Sequence, residues 1–235
     1  MADAFKPSKK DQVSLGKRAA TEVRKQEKIV PESDQRVQMM RSVAAKLFAA
    51  DPTPKGDPWE FSFDMIDKKE LNAFAFPGGP IFFFAGLVDK FETEDQLAGV
   101  LAHEITHVRK EHWAYAYADQ QKRAAGLSLL LILIRANRTV SDLASISNDL
   151  LLTLPFSRKH ETESDDRGFE MMIKAGYNPQ GMVDSFTVLK GGGKSQKGME
   201  WLSTHPDIDK RIARLNDKIS KSSTRYPAQK KLPWK

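Results

Sequence analysis

The amino-acid sequence predicts an α+β fold that is mainly helical, in which a short antiparallel sheet packs beside one long helix. Apolar residues recur every three or four positions in the first 50 residues and again after residue 93, and this spacing is typical of helices with one buried face. Residues 59–65 instead alternate apolar and polar side chains, which is the period of a strand. With 235 residues, of which 40% are hydrophobic, we expect one domain over residues 1–221 and a basic C-terminal tail over residues 222–235.

The predicted elements follow one another along the chain. Two helices separated by Pro31 come first, and a loop of Pro, Gly and Asp residues leads into the strands, which include a hairpin at Gly78-Gly79. Thr93 is a suitable N-cap for the long helix, because Gln96 lies three residues later and can complete a capping box. The expected ranges are 11–29 and 33–50 for the first helices, 59–65, 71–76 and 81–85 for the strands, 93 to about 123 for the long helix, 126–136 and 139–153 for apolar segments that are helical or irregular, and 157–175, 180–189 and 207–219 for the last helices.

The composition restricts the chemistry that the chain can carry. There are no cysteines, which excludes disulfides, thiolate metal ligands and a cysteine nucleophile. No apolar run approaches the roughly 18 residues that a membrane-spanning helix needs. Residues 1–30 lack the apolar core of a signal peptide, so we interpret the sequence as that of a cytoplasmic protein or of a mature or trimmed form. Any metal must be held by Asp, Glu or one of five histidines, which are His103, His107, His112, His160 and His205.

Positive charge is concentrated at the C-terminus. The net charge is +6, and residues 210–235 hold nine Lys and Arg residues against the single acid Asp217. Such a segment can contact an anionic surface, for example lipid head groups, although a basic run most often remains solvated. The chain shows no helix-turn-helix pattern and no basic run interleaved with aromatic residues, so we expect no nucleic-acid partner.

The segment His103-Glu104-Ile105-Thr106-His107 carries the clearest chemical signal. It lies inside the predicted long helix, where positions i and i+4 share a face, so both imidazoles can reach one metal ion. Glu104 then lies beside that metal, where it can accept a proton from water. This spacing is typical of zinc peptidases.

A catalytic zinc ion usually has three protein ligands, so one ligand remains to be found. The best candidate is Glu161, which the spacing places on one helical face with Asp165. Asp165 could then accept a hydrogen bond from a ligand imidazole and fix its orientation. His112 and His160 are interpreted as packing or surface residues, because neither lies on the ligand face.

With these motifs the chain resembles the HtpX and CAAX-prenyl-protease-type family of zinc metallopeptidases, in its soluble, single-domain (Oma-like) branch. The resemblance covers roughly residues 11–216. It implies a zincin-like core of the gluzincin type, built on a long active-site helix, with one Zn²⁺ per chain. The motifs that carry it are, in chain order, Asn72-Ala73-Phe74, Pro77-Gly78-Gly79, Gly86-Leu87, residues 94–107, Ser157-Arg158 with Glu161 and Asp165, Ala175-Gly176-Tyr177-Asn178-Pro179, and Thr204-His205-Pro206 with Arg211.

The resemblance implies a role for each matching residue. His103, His107 and Glu161 would bind zinc, Glu104 would serve as general base and then as acid, and Asp165 would orient His103.

The resemblance also implies roles for residues outside the His103–His107 segment and the pair Glu161 and Asp165. Asn72 and Ala73 would hold its backbone, His205 would stabilise the oxyanion or act as a fourth ligand, and Arg211 would help near the site. The chain departs from the family pattern at Ser164, where Ala is usual, and it lacks the membrane-spanning helices of the best-known members.

The function expected from these features is that of a zinc endopeptidase acting on protein substrates, with a place in envelope protein quality control implied by the resemblance. Three alternatives stay open at this stage. The site could hold a structural zinc ion, the chain could be a latent or chaperone-like module with little cleavage activity, or it could be an adaptor that acts through its basic C-terminus. The sequence leaves the substrate, the oligomeric state and the compartment open.

Overall fold

A three-stranded sheet and one buried helix form the centre of the structure, a computed structural model that describes residues 5–132, 153–192 and 199–235. The predicted apolar segment 139–153 and the end of the segment 126–136 fall almost wholly outside these ranges. The strands are β1 (Ser62–Ile66), β2 (Ala73–Ala75) and β3 (Pro80–Phe84). The helices are α1 (Lys9–Gln26), α2 (Gln35–Ala50), α3 (Ala85–Val88), α4 (Glu94–Arg109), α5 (His112–Ile132), α6 (Arg158–Lys174), α7 (Gln180–Gly192), α8 (Met199–Thr204) and α9 (Ile208–Ser220).

The sheet is mixed, whereas the sequence was expected to form an antiparallel one. The strand order is β1-β3-β2, and β1 runs parallel to β3 while β2 runs antiparallel to it. Alternation of apolar and polar residues specifies which face of a strand is buried and leaves its direction open, so the parallel pair could not be read from it. The α+β, mainly helical class is confirmed.

The hairpin between β2 and β3 forms at the predicted glycines. Gly79 has a φ of +136°, a conformation that L-residues rarely adopt, and a Cβ atom there would lie 2.3 Å from the carbonyl oxygen of Glu60. The turn therefore needs glycine both for its backbone conformation and for close contact with the segment before β1.

Helix α4 lies at the centre of the core, between α2, α6 and α7. Its predicted capping box is confirmed, because Thr93 Oγ1 accepts a hydrogen bond from Gln96 N and the Gln96 side chain accepts one from Thr93 N. All residues from Asp95 to Val108 are buried. The predicted extension to about Arg123 was wrong, since α4 ends at Arg109, Glu111 adopts a left-handed φ of 55°, and α5 begins at His112.

The C-terminal residues pair with the beginning of α4. Leu232 N donates a hydrogen bond to the Glu92 carbonyl (2.9 Å), Glu94 N donates one to the Lys230 carbonyl (2.7 Å), and the Leu232 side chain is buried in the core. The division into a domain of residues 1–221 and a basic tail of residues 222–235 stays a prediction. Within the described ranges, no helix is both long and apolar enough to cross a membrane.

Candidate metal centre

Helix α4 brings His103 and His107 together on one face. Their Nε2 atoms lie 3.0 Å apart, as the i, i+4 spacing predicts, and both imidazoles are buried. Glu104, between them in sequence, is also buried. Its Oε1 atom has no hydrogen-bond partner among the described residues, which is unusual for a buried carboxylate.

Glu161 enters the same space from the first turn of α6. This helix begins at Ser157, whose side chain accepts a hydrogen bond from His160 N. The Glu161 carboxylate lies 3.3 Å from His107 Nε2 and 3.7 Å from His103 Nε2. The structure therefore places Glu161 beside the two histidines of α4, where the sequence predicts the third ligand.

His205 occupies the remaining side of this group, from the short connection between α8 and α9. Its Nδ1 atom lies 3.3 Å from His103 Nε2 and 3.1 Å from Glu161 Oε1. The indole ring of Trp201 stacks on its imidazole, with 4.4 Å between ring centroids. The imidazole is thus held in the group by packing as well as by polar contacts.

The four donor groups fit a single zinc ion. One ligand atom from each of His103, His107, Glu161 and His205 lies within 4.8 Å of the other three. Tetrahedral zinc with ligands about 2.0–2.2 Å away requires donor atoms roughly 3.3 Å apart. Five of the six pairs of residues have donor atoms 3.0 to 3.7 Å apart, and all four ligand atoms lie within 4.8 Å of one another. Small side-chain shifts would therefore bring the group to tetrahedral spacing.

Two buried residues lie beneath the ligand group. Asp165 Oδ1 is 3.2 Å from His103 Nδ1, so this carboxylate is placed to orient the imidazole as the resemblance implied. Arg211 donates hydrogen bonds to both carboxylate oxygens of Asp165 and forms a close ion pair with Glu161. Its guanidinium packs 4.4 Å from the centre of the Phe186 ring. Arg211 is buried behind the ligands, and its expected role in substrate binding stays a prediction.

The charges of the site favour a divalent cation. Three buried carboxylates, those of Glu104, Glu161 and Asp165, face the single buried guanidinium of Arg211. Burial raises the pKa of Glu104 above its ordinary value. Burial would also raise the pKa of Glu161, but His205 and Arg211 beside it hold that pKa well below its ordinary value. With all three carboxylates ionised, the net charge of these four side chains is −2, which a divalent cation would balance.

Among the described residues, Asn72 and Ala73 lie at an edge of the sheet. Ala73 is in β2, whose partner is β3, and Asn72 accepts a hydrogen bond from Phe84 N through its carbonyl oxygen. Asn72 also lines a cavity of about 290 Å³ together with the aromatic rings of Phe74 and Phe84 and with Thr204, the neighbour of His205. The cavity therefore connects the sheet edge to the loop that carries His205.

His112 is the buried site residue that the sequence reasoning missed. Its Nδ1 atom lies 3.0 Å from Nδ1 of His107, and burial lowers the pKa of His112 to about 4. On a continuous helix a residue five positions after His107 would point away from it. Because the helix breaks at residues 110–111, the His112 side chain lies against His107. No local feature of the sequence predicts this break.

Comparisons with known proteins agree with this geometry. A family model described as "Peptidase family M48" matches residues 31–219. Mitochondrial metalloendopeptidase OMA1 of Arabidopsis thaliana is 33% identical over 178 residues, which are 76% of this chain and 35% of that protein. Beta-barrel assembly-enhancing protease of Escherichia coli (strain K12) is 35% identical over 162 residues, which are 65% of this chain and 33% of that protein. The chain therefore spans about a third of the length of these curated relatives.

A similar fold occurs in a solved structure. The crystal structure of S. mikatae Ste24p superimposes with a TM-score of 0.54 at 20% sequence identity, over 86% of this chain and 55% of that one. At this identity the match supports the shared fold alone.

Proposed function

Because the chain belongs to peptidase family M48, we propose that it is a zinc-dependent endopeptidase that hydrolyses peptide bonds in protein substrates. The observation that carries this proposal is the buried group of His103, His107, Glu161 and His205, with Glu104 beside it, whose Oε1 atom accepts no hydrogen bond from the described residues. A structural zinc site would have no use for a buried carboxylate oxygen that is left without a hydrogen bond.

Three residues serve as the permanent zinc ligands in this proposal. They are His103 and His107 from α4 and Glu161 from α6, each through the atom that faces the centre of the group. Bound zinc would lower the pKa of a water molecule and polarise the carbonyl of the scissile bond. Asp165 accepts a hydrogen bond from His103 Nδ1 and so keeps His103 Nε2 free to act as a ligand.

Glu104 moves the proton. Its Oε1 atom can accept the proton of the attacking water and then deliver it to the amine that leaves the broken peptide bond. The absence of a competing hydrogen bond in the described part of the chain keeps this oxygen available for both steps.

His205 fills the corner of the group that a catalytic zinc site normally leaves for water. We propose that His205 moves out of this corner when substrate and water enter. Its other ring nitrogen, Nε2, lies 3.7 Å from Glu104 Oε1, so the displaced imidazole would remain close to the reacting carbonyl. There it could donate a hydrogen bond to the developing oxyanion.

The substrate would bind as an extended chain along Asn72 and Ala73. The support is positional, since β2 is the outer strand of the sheet within the described residues, where an extended segment can pair with it. The cavity beside Asn72, with Phe74 and Phe84 in its wall, would accept an apolar side chain.

The partners follow from this chemistry and from the charge of the chain. We propose protein or peptide segments as substrates and no nucleic-acid partner. Peripheral membrane contact through the basic residues 222–235 remains a prediction. The similarity to the beta-barrel assembly-enhancing protease of Escherichia coli supports a place in envelope protein quality control.

The test compares the wild-type protein with Glu104→Gln and with Glu94→Gln, a matched control on the same helix away from the site. Zinc content and the rate of casein cleavage are measured for each. We expect one zinc per chain in all three proteins and a loss of about 10²–10⁴-fold in rate for Glu104→Gln alone, the usual contribution of a general base. Zinc-loaded wild-type protein that cleaves neither casein nor a mixture of unfolded proteins would overturn the proposal, as would normal cleavage by Glu104→Gln.

A further inference from the structure

The break between α4 and α5 places a second imidazole against one of the proposed ligands. Glu111, with its φ of 55°, interrupts the helix, and His112 is buried with its Nδ1 atom 3.0 Å from Nδ1 of His107. The opposite nitrogen of His107, Nε2, faces the ligand group. His107 therefore contacts a separate partner at each of its ring nitrogens.

The protons on these rings follow from elementary hydrogen-bond chemistry. Two ring nitrogens 3.0 Å apart form a hydrogen bond only if one carries a proton and the other a lone pair. A metal-bound Nε2 leaves the proton of neutral His107 on Nδ1, so Nδ1 of His112 must be the acceptor. A neutral His112 then carries its own proton on Nε2.

An acceptor for that second proton is present. His112 Nε2 lies 3.4 Å from Glu163 Oε2, and Lys110 Nζ lies 3.2 Å from the other oxygen of the same carboxylate. The imidazole of His160 stacks on His112 at 4.5 Å, nearly parallel to it, which limits rotation of the ring. The contacts thus run without interruption from a carboxylate, through His112, to the proposed ligand His107.

Ser164, the residue at which the chain departs from the Ala usual in the family, lies at the same nitrogen. Its hydroxyl oxygen is 3.2 Å from His112 Nδ1. That nitrogen has one lone pair when His112 carries its proton on Nε2, so the hydroxyl can donate to it only by sharing this lone pair with His107. The contact is consistent with an acceptor role for His112 Nδ1.

We propose that His112 is a positioning residue for the metal site, which accepts a hydrogen bond from His107 Nδ1 and transmits the negative charge of Glu163 to it. This inference rests on the ligand assignment in the proposed function. Asp165 has the corresponding relation to His103 without an intervening ring. Both carboxylates lie on α6, which also carries the proposed ligand Glu161.

The test uses zinc affinity, measured by competition with a chelator, and does not depend on catalysis. His112→Phe keeps the ring stacking and removes both nitrogens, and we expect a loss of roughly 10- to 100-fold in affinity, the usual effect of removing such an outer partner. His112→Gln restores an acceptor and should recover most of that loss. His160→Phe, which keeps the stacked ring, serves as the matched control and should bind zinc as the wild type does.

A spectroscopic measurement on the wild-type protein tests the proton positions directly. Long-range ¹H–¹⁵N spectra of the zinc-loaded protein distinguish the two protonated forms of a neutral imidazole, and five histidines can be assigned through the variants. We expect His107 to be protonated on Nδ1 and His112 on Nε2. Protonation of His112 on Nδ1, or wild-type affinity in His112→Phe, would overturn the inference. Wild-type protein that binds no zinc would instead refute the ligand assignment itself.

Discussion

Replacing Arg211 by Met should destabilise the metal-free protein far more than the zinc-loaded protein. The Arg211 side chain is only 4% exposed, and its guanidinium lies 2.6 Å from Asp165 Oδ1 and in close contact with Glu161. Met preserves much of the packing against Phe186 and Trp201 but removes the charge. The metal-free variant therefore keeps its buried carboxylates without the cation that faces them.

The size of the effect follows from the burial of this ion pair. Removing one partner of a buried pair typically costs about 3–5 kcal/mol, because the remaining charge stays desolvated. In a protein of this size 1 kcal/mol corresponds to roughly 2–4 °C in melting temperature, so the metal-free variant should melt about 6–20 °C below the metal-free wild type. Zinc supplies two positive charges at the same carboxylates, so the loaded variant should lose much less.

Differential scanning calorimetry with either EDTA or stoichiometric zinc measures both differences. Arg214→Met is the matched control, because Arg214 also contacts Asp165 (3.2 Å) but its side chain is 34% exposed. Because the Arg214 side chain is partly solvated and Arg211 still faces Asp165 in this variant, we expect the control to melt within a few degrees of the wild type. Equal destabilisation of Arg211→Met with and without zinc, or a change below about 1 kcal/mol without zinc, would refute the charge argument.

Two further predictions concern regions outside the metal centre. Burial would raise the pKa of Asp166, but hydrogen bonds from Lys218 and Arg214 hold it below its ordinary value of 3.8. The stabilisation from these ion pairs is therefore complete when the pH is above the ordinary pKa of 3.8. It disappears as the pH falls through the lower pKa of Asp166 in the folded state. Urea denaturation should show Asp166→Asn destabilised at pH 7 and progressively less destabilised as the pH falls below 3.8, and a difference that does not change with pH would contradict this. Leu232→Ala should cost about 2–5 kcal/mol by the same measurement, since its side chain is 1% exposed, whereas a solvated tail would give no change.

Local signals in the sequence were sufficient for most of the helical fold. The capping box of Thr93 and Gln96 and the apolar spacing in residues 9–50 involve residues within one or two turns of each other, so their structure depends little on the rest of the chain. The same holds for the pair His103 and His107, whose common face follows from helix geometry alone. The grouping of Glu161 and Asp165 on one helix was also accessible from their spacing.

The features that the sequence did not reveal depend on contacts between distant segments. Three features were not evident from the sequence: the parallel pairing of β1 with β3, the break before His112, and the burial of Leu232. In each case the residues nearby in sequence give no indication of the structure. The resemblance placed Arg211 near the site, and only the packing of α9 against α6 and α7 shows that its charge is enclosed. Periodicity indicates that a face is buried but does not identify what covers it.

The position of α6 relative to α4 explains how the His103–His107 segment of α4 and the acidic residues of α6 form one site. A Cβ atom on Gly168 would lie 3.2 Å from the backbone of Ala102, which is tighter than most Cβ contacts, so glycine favours this close approach of α6 to the helix that carries the histidines. At that separation one turn of α6 places Glu161 among the proposed ligands, Asp165 at Nδ1 of His103, and Glu163 at the imidazole that contacts His107. An isolated His-Glu-x-x-His helix would have two imidazoles free to rotate and to change the nitrogen that carries the proton. The contacts from α6 fix both, so the metal-binding chemistry depends on the register between two helices as well as on the motif in one of them.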